Sequence, residues 1–191
     1  MPASSLSPWQ QFKTKWESCS QCPLCDVRRH VVLARGNVPC DVLFVGEAPG
    51  QSEDVLGQPF VGPAGHLLDK QIEEALLNSG AVELRLAFTN LVCCIPKESR
   101  GGQKVSEPSK ECIEACAPRL DEFMCLCKPK LTVAVGDLAE EYLAELADVK
   151  ITHPAAILRA MSGKESGGIV RQALMDQRVV VILENAFRDL V

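Results

Sequence analysis

Cysteine is the residue type whose number and spacing first suggest chemistry in this sequence. The chain has 191 residues and ten cysteines, and Cys19, Cys22 and Cys25 form a CxxCxxC run. A CxxC pair lets a tight loop direct two thiols at one metal centre. A bacterial ferredoxin would need a fourth cysteine three residues later, and the segment 26–29 contains none. A zinc ribbon would need a second, separate CxxC pair, so the spacing favours an iron–sulfur centre over zinc.

The other cysteines leave the set of metal ligands open. They lie at irregular spacings and are Cys40, Cys93, Cys94, Cys112, Cys116, Cys125 and Cys127. A buried cysteine often behaves as a small hydrophobic residue, and we interpret five of them in this way, namely Cys40, Cys93, Cys112, Cys125 and Cys127. Cys112 and Cys116 are four residues apart and would share one face of a helix, which would let both bind one centre. The pattern alone does not choose among these interpretations.

A second candidate for chemistry is a loop rich in glycine and proline. It reads GEAPGQSEDVLGQPFVGPAG and follows the apolar run DVLFV. Its carboxylates Glu47, Glu53 and Asp54 could bind a metal ion, or Phe60 could close over a flat ligand. The structural alternative is a solvated acidic loop in which Phe60 covers the core. Because α/β proteins place their sites at the ends of buried strands, this loop is a candidate site.

Strand and helix patterns alternate along the chain. Apolar runs predict strands over residues 40–46, 84–92, 130–136, 149–152 and 178–183. Amphipathic spacing predicts helices over residues 9–16, 64–79, 107–124 and 137–147. A further helix is predicted after His153-Pro154, followed by a glycine-rich break at 162–168 and a last helix that ends at Met175. This alternation predicts an α/β fold with a parallel sheet covered on both faces. We expect a single domain over residues 1–191, with residues 1–8 frayed.

Composition and charge exclude several classes of protein. The apolar fraction is 47% and the charged fraction 24%, which excludes a mainly disordered chain. No apolar run approaches the roughly 18 residues of a membrane span, and the start has no signal-peptide pattern. We therefore expect a cytoplasmic protein without membrane contact. The net charge of −5 argues against a protein that coats nucleic acid, but it leaves local DNA binding open.

Five segments resemble, in order along the chain, the motifs of the family 4 uracil-DNA glycosylases, the iron–sulfur branch of their superfamily. The loop GEAPGQSEDVLGQPFVGPAGHLLD resembles the first motif of that family. The other four segments are CSQCPLCDVRR, FTNLVCCIP, EPSKECIEACAPRL and THPAAILR. The resemblance implies a three-layer α/β/α sandwich with a small, mostly parallel central sheet. It also implies a DNA repair enzyme that hydrolyses the N-glycosidic bond of uracil in DNA and leaves an abasic site. We expect this enzyme to be a monomer.

The resemblance also selects among the cysteines. It assigns the ligands of a 4Fe-4S cluster to Cys19, Cys22, Cys94 and Cys116. In this assignment Cys25 is a bystander, as is Cys112. The cluster would be structural, tying the N-terminal segment to the rest of the chain.

Roles for individual pocket residues follow from the same resemblance. Phe60 would stack on a uracil that is flipped out of the DNA, and Asn90 would pair with the edge of that base. His153 would donate a hydrogen bond to uracil O2 as negative charge develops there. Glu47 would orient or activate the attacking water, and Glu53 would close off the C5 position against the methyl group of thymine.

Backbone and phosphate contacts complete the expected site. Gly46 and Ala48, in the loop after the first strand, are expected to line the substrate pocket. Lys97, Arg100 and Lys104 lie in a polar, glycine-rich segment and are candidate contacts to DNA phosphates.

Two departures from the family pattern keep other functions open. The stretch between Gly136 and His153 is shorter than the family leads us to expect, and Ala155 stands where many superfamily members have serine. The segment 97–103 lacks an Arg-rich, His-containing insert, so we do not expect covalent crosslinking to uracil. The alternatives are a glycosylase for another deaminated or hypermodified base, a non-catalytic relative that binds DNA or a polymerase, and an electron-transfer protein.

Overall fold

A five-stranded sheet forms the centre of the protein. The computed structural model describes residues 6–162 and 166–191. In the described chain the strands are β1 (Arg35–Gly36), β2 (Val42–Gly46), β3 (Leu86–Asn90), β4 (Leu131–Val135) and β5 (Val149–Ile151). Their order in the sheet is β1-β3-β2-β4-β5. The pairs β2–β3, β2–β4 and β4–β5 are parallel, and only the short β1 runs antiparallel to its neighbour among the described residues. The predicted α/β fold with a small, mostly parallel sheet is confirmed.

Helices occupy most of the connections between these strands. They are α1 (Pro8–Trp16), α2 (Gln51–Leu56), α3 (Pro63–Ser79), α4 (Lys110–Cys127), α5 (Asp137–Tyr142), α6 (Pro154–Ser162) and α7 (Ser166–Arg188), with a 3-10 helix at Pro23–Asp26. The helix predicted from residue 107 begins at Lys110, because Ser109 caps it by accepting a hydrogen bond from the Cys112 amide. The short helices at 23–26 and 51–56 were not predicted, since each is less than two turns long.

Side chains of β2 alternate between two apolar cores on the two faces of the sheet. Leu43 and Val45 belong to the core that contains α1 and α4, where Phe12 and Phe123 are buried. Val42 and Phe44 belong to the core under α3 and α7. Every residue of β2 is buried. A strand covered on both faces has no polar side, which is why its sequence is a continuous apolar run.

The strand predicted at residues 178–183 is wrong. These residues lie inside the long helix α7, which packs against α3. Val179, Leu183 and Phe187 are buried at a spacing of four residues, whereas Val181 is 48% exposed. The run of β-branched residues resembled a strand, but burial follows the helical period. A glycine-rich break was predicted at 162–168. Where these residues are described they are helical, because α6 ends at Ser162 and α7 begins at Ser166. Residues 163–165 lie outside the described residues.

The segment before the cysteines is anchored to the rest of the protein. Ser7 and Gln10 form a reciprocal capping box at the start of α1. Trp16 is buried, and its indole nitrogen donates to Glu122 of α4 over 3.0 Å. Of the stretch predicted to fray, residues 1–5 lie outside the described residues. The cysteine run therefore starts from a helix that is packed on the core.

The carboxyl ends of β2 and β3 lie side by side. Gly46 and Asn90, the last residues of these strands, are register partners. The amide of Leu91 then donates to the carbonyl of Gly46 over 2.8 Å, which keeps the two chains together beyond the strands. This edge of the sheet carries the loops that contain the predicted site residues. No helix in the described chain is long and apolar enough to cross a membrane.

Candidate active site

A cavity of about 300 Å³ opens at the carboxyl edge of the sheet. This volume is at the lower end of the range found for small-ligand sites. The loop after β2, the end of β3, the segment before α4 and the start of α6 contribute its walls. Six residues predicted for the site line it, namely Glu47, Ala48, Glu53, Phe60, Asn90 and His153.

Gly46, which was also predicted to line the pocket, is not among its lining residues but adjoins two of them, Asn90 and Phe60. A Cβ atom at this position would lie 2.6 Å from Oδ1 of Asn90 and 2.6 Å from Cζ of Phe60. Both distances are well below van der Waals contact. Only glycine at this position lets the carboxamide and the aromatic ring approach the same point.

The backbone around Phe60 is held in an unusual conformation. Phe60 has a φ of 56°, which is rare for a bulky residue. Gly65, in the first turn of α3, lies so close that a Cβ atom there would be 2.1 Å from the Phe60 carbonyl oxygen. The ring itself is tilted against Phe88 of β3, with 5.9 Å between centroids. The ring is therefore oriented by its own backbone and by the sheet.

Glu53 organises the loop that forms one wall of the pocket. One carboxylate oxygen accepts hydrogen bonds from the amides of Val61 and Gly62, at 3.0 and 2.7 Å. The other oxygen accepts from the amide of Gly50 over 3.1 Å. A carboxylate with three backbone donors fixes both ends of the segment 50–62. The structural alternative of a freely solvated acidic loop is wrong for this residue.

Glu47 and His153 both lie close to Gly136, which follows β4. A Cβ atom at Gly136 would be 2.6 Å from Oε1 of Glu47 and 3.1 Å from Cβ of His153. Gly136 has a φ of 99°, in the region that favours glycine. Burial raises the pKa of Glu47, and the neighbouring carboxylates of Glu107 and Asp137 raise it further. The site thus contains a carboxylate whose basicity is increased by its surroundings.

His153 presents one ring nitrogen as a donor. The amide of Ala155 donates to Nδ1 over 3.1 Å, so Nδ1 is the unprotonated nitrogen. Burial lowers the pKa of His153, and the positive charge of Arg159 lowers it further. The imidazole is therefore neutral near pH 7, with its proton on Nε2. A neutral imidazole in this tautomer can donate a hydrogen bond from Nε2.

Lys97 was predicted to contact DNA phosphate, and this prediction is wrong. Its ammonium lies 3.0 Å from a carboxylate oxygen of Asp54, and the two side chains are only 2% and 1% exposed. The other oxygen of Asp54 accepts from the amide of Arg29 over 2.7 Å. Asp54 of α2 is thus bonded both to Arg29, which precedes the helix, and to Lys97, which follows it. The charge of Lys97 therefore faces the interior and not the solvent.

The remaining two predicted DNA contacts, Arg100 and Lys104, are exposed. They lie on the glycine-rich segment that follows Lys97. The side-chain nitrogen of Gln51 donates to the carbonyls of Gly102 and Gln103, each over 3.1 Å. The segment is therefore held beside the pocket, with its cationic side chains in solvent.

Eight further residues line the pocket without a predicted role. Gly50, Ala64, Gly65 and Ala155 are four of them. The other four are Val105, Ser106, Pro108 and Arg159. The first three of this second group lie in an irregular segment with no periodic signal. Arg159 could have been found, because it follows Ala155 by four residues and so shares its face of α6.

A second, smaller cavity is lined by thiols. The cysteines around it are Cys19, Cys22, Cys93, Cys94 and Cys116. It is about 20 Å³ in volume, and its other walls include Trp16, Leu33 and two arginines, Arg28 and Arg119. We refer to it as the thiol cavity. It brings together all four cysteines selected by the family resemblance.

Two cysteines of the surrounding segments are not among the residues that line the thiol cavity, although one of them, Cys112, interacts with the lining residue Cys22. Cys25 is not among its lining residues, and its thiol donates to Asp26 over 3.4 Å. Cys112 is buried on α4 but does not line the cavity either. Cys93, which was interpreted as a small hydrophobic residue, does line it.

The chemistry of the thiol cavity suits a polynuclear iron–sulfur centre. Thiolates are the ligands that such centres prefer, and two arginines would compensate their negative charge. In the described chain no group of three or more His, Cys, Asp or Glu side chains is close enough to hold a single metal ion. A cluster needs no such convergence, because each thiolate binds a different iron.

The protonation of these thiols depends on their surroundings. Burial raises the pKa of Cys22 to about 11 and that of Cys94 to about 12. A hydrogen bond from Cys93 lowers the pKa of Cys116 to about 5, and the nearby Arg119 contributes to this decrease. Binding of a metal centre would therefore displace protons from Cys22 and Cys94 in particular.

Comparison with known proteins gives one consistent result. A sequence model described as "Uracil DNA glycosylase superfamily" matches residues 33–183. The chain is 36% identical over 134 residues to a protein of Sulfurisphaera tokodaii named Type-4 uracil-DNA glycosylase, which covers 70% of this chain and 57% of that protein. It is 36% identical over 168 residues to a protein of the same name from Pyrobaculum aerophilum, covering 75% of this chain and 81% of that one.

A third relative with the same name, from Saccharolobus solfataricus, is 35% identical over 133 residues, which are 70% of this chain and 57% of that protein. The chain therefore spans little more than half the length of two of these three relatives.

The buried ion pair leads to a prediction about stability. Replacing Lys97 with Met should lower the free energy of unfolding by about 3 kcal/mol, because the carboxylate of Asp54 would be left without its partner charge in the interior. Urea denaturation of the purified variants measures this quantity. Lys104→Met, which removes an exposed charge from the same segment, is the control and should change stability by less than about 0.5 kcal/mol. Equal effects of the two substitutions would contradict the assignment of Lys97 to the interior.

Proposed function

The chain belongs to the uracil-DNA glycosylase superfamily, and from this premise we propose that it hydrolyses the N-glycosidic bond of uracil in DNA, leaving an abasic site for repair. The observation that carries the proposal is one pocket of about 300 Å³ that brings together Glu47, Phe60, Asn90 and His153. Each of these side chains matches one requirement of the reaction. Its curated relatives, named Type-4 uracil-DNA glycosylases, support the same activity.

Asn90 is suited to recognise uracil and reject cytosine. Its carboxamide can donate to O4 of uracil and accept from N3–H, whereas cytosine presents the opposite pattern at these two positions. Asn90 is only 3% exposed, so a mismatched base would leave buried polar groups unpaired. The ring of Phe60, held by its backbone and by Phe88, would stack on the face of the flipped base.

His153 is suited to stabilise the leaving uracil. Breaking the glycosidic bond expels the base as an anion, with part of the charge on O2. A neutral imidazole with its proton on Nε2 can donate to this oxygen without protonating it. A positioned donor of this kind is worth about 3–4 kcal/mol in the transition state.

Glu47 is the group best suited to act on the attacking water. Its carboxylate lies beside His153 at the end of β4, and burial raises its pKa toward the range in which a general base is effective. The negative charge of Glu47 would also stabilise the oxocarbenium-like sugar that remains after the base departs.

Glu53 would limit the size of the base at C5. Its two carboxylate oxygens are engaged by backbone amides, so its position in the pocket wall is fixed. A rigid wall would exclude the methyl group of thymine. Gly46 and Ala48 would complete the same side of the pocket.

Arg100 and Lys104 remain the candidates for DNA backbone contacts. Both are exposed on the segment held by Gln51 beside the pocket. Since the chain carries a net charge of −5, such local cations would have to supply the attraction to phosphate. We propose that the chain acts as a monomer, and as one domain because its two cores share one sheet.

We further propose that Cys19, Cys22, Cys94 and Cys116 hold a 4Fe-4S cluster. When bound, the cluster would cross-link three segments of the chain through its bonds to the cysteine sulfurs, and it would take no part in the chemical step. These four residues come from the N-terminal segment, the loop after β3 and α4. The cluster would therefore stabilise the loop that follows Asn90.

A panel of oligonucleotides tests the proposed activity. Strand cleavage after alkali should occur with uracil and not with thymine, cytosine, hypoxanthine or xanthine at the same position. Preference for hypoxanthine or xanthine would favour a glycosylase for another deaminated base. Binding of DNA without cleavage of any member would favour a non-catalytic relative.

Asn90→Asp tests how the base is recognised. The variant should lose most activity on uracil and gain relative preference for cytosine, because a carboxylate accepts from N4 of cytosine but cannot donate to O4 of uracil. The ratio of the two cleavage rates is the measurement. Uracil excision at the wild-type rate would remove Asn90 from base recognition.

His153→Ala tests the stabilisation of the leaving group. The single-turnover cleavage rate should fall by roughly 100- to 1,000-fold, the typical cost of removing one oxyanion donor, while DNA binding weakens far less. Rapid-quench kinetics with enzyme in excess measure the rate. A decrease of less than about threefold, in a folded variant with wild-type iron content, would mean that the donor lies elsewhere.

The cluster assignment predicts a difference between two cysteines of α4. Protein purified without oxygen should be brown and contain about four iron and four sulfide per chain. Cys116→Ala should lose this iron, and Cys112→Ala, four residues away on the same helix, should keep it. Iron and sulfide analysis of both variants decides the matter, and stoichiometric zinc without sulfide in the wild type would rule the cluster out.

A further inference from the structure

Arg119 is a buried cation that touches both the thiol cavity and the strand that ends in the pocket. Its side chain is 1% exposed and lies on α4. One terminal nitrogen donates to the carbonyl oxygens of Asn90 and Leu91, at 2.6 and 2.8 Å. The same nitrogen lies 3.7 Å from the sulfur of Cys116. Arg119 therefore connects the thiol cavity to Asn90, which lines the pocket.

The contacts of Arg119 fix the end of β3. Its other terminal nitrogen donates to the hydroxyl of Thr89 over 2.9 Å, and that hydroxyl donates to the carbonyl of Leu33 over 2.7 Å. Three consecutive residues of β3 and the loop after it are thus hydrogen-bonded to one guanidinium. The planar fork of arginine suits this arrangement, and no other side chain presents five donors in one plane.

The charge of Arg119 requires an anion. A buried cation without a partner charge is strongly destabilising. Across residues 6–162 and 166–191, Arg119 forms no ion pair with a carboxylate. Its Nε is buried and has no hydrogen-bond acceptor among the described residues. The sulfur atoms of the thiol cavity, which Arg119 lines, are the neighbours that can carry negative charge.

We propose that Arg119 is a positioning residue that couples anionic sulfur in the thiol cavity to the placement of Asn90 in the pocket. Negative charge at the cavity holds the guanidinium in place, and the guanidinium in turn holds the carbonyl of Asn90. Loss of the centre that these sulfur atoms would hold releases Cys116 from a fixed position beside Arg119, and this loosens the end of β3. The inference rests on the proposed function only where it concerns uracil, because the coupling itself is a property of the fold.

Amide hydrogen exchange tests the coupling without any DNA. The measurement compares the peptide covering residues 86–92 in protein purified without oxygen and in the same protein after a chelator has removed its iron. Removing iron from the wild type should increase exchange in this peptide by about tenfold, since the stability of the strand end would fall. An increase of less than about twofold would overturn the proposal, and this result needs no variant.

Arg119→Gln and Arg28→Gln form a matched pair for the same measurement. Arg28 lines the thiol cavity too, but it donates to the carbonyl of Cys19 over 2.5 Å and, within the described chain, forms no hydrogen bond with β3. Arg119→Gln should exchange about tenfold faster while it still holds iron, and iron removal should add little. Arg28→Gln should behave as the wild type does. An equal response of the two variants to iron removal would overturn the coupling.

Arg119→Lys separates charge from geometry. Lysine keeps the positive charge beside the thiols but lacks the planar fork that engages two carbonyls and a hydroxyl. The variant should retain iron, as judged by its visible absorption, and still show faster exchange at residues 86–92. Wild-type exchange in this variant would mean that the positive charge alone is sufficient, and it would overturn the positioning role.

Inhibition by free uracil links the coupling to the pocket. The inhibition constant should rise about tenfold in Arg119→Gln and change less than twofold in Arg28→Gln, because Asn90 binds the base. A wild type that shows the exchange coupling but releases no uracil from DNA would contradict the proposed function and support the coupling. An active wild type whose exchange is insensitive to iron would contradict the coupling alone.

Discussion

The parallel pairing of β2 with β3 is the constraint on which the site depends. Their register sets Gly46 opposite Asn90, so that the loops leaving both strands start from one point. The absence of a side chain at Gly46 then lets Phe60 and Asn90 approach each other within the pocket. A shift of one residue in this register would turn the side chain of Asn90 to the other face of the sheet. The pairing of these two strands therefore determines where the pocket lies, and the loops then supply most of its side chains.

Buried charges hold the irregular segments around the pocket in place. Glu53 gathers three backbone amides of its own loop, and Asp54 pairs with Lys97 in the interior. Loops cannot satisfy their backbone groups as helices and strands do, so carboxylates and cations provide the missing partners. Removing one member of such a set leaves the other unsatisfied, which makes these loops less tolerant of substitution than their exposure suggests.

The thiol cavity and the pocket lie at different places but share the end of β3. Cys93 and Cys94 follow Asn90 by only a few residues, and Arg119 connects the same stretch to α4. In the proposed enzyme, a cluster would therefore stabilise the loop beside the base without taking part in its excision. Such an arrangement would let a centre that performs no chemical step affect recognition of the substrate.

The sequence by itself determined the α/β alternation and the loop that carries the site, because apolar periodicity and short motifs are local signals. The family resemblance then selected four of the five cysteines that line the thiol cavity. It also led to the strand assignment at 178–183, since a run of β-branched residues looks alike in a helix and a strand until burial is known. Only the tertiary structure decided that Lys97 is buried. Its partner Asp54 is 43 positions away, and nothing local to either residue reveals their contact. The donor nitrogen of His153 depends on a local contact with the amide of Ala155, two residues away, which only the folded backbone reveals. The contacts of Arg119 with the end of β3 were likewise decided by the tertiary structure, because packing brings α4 and β3 together from positions about 30 residues apart.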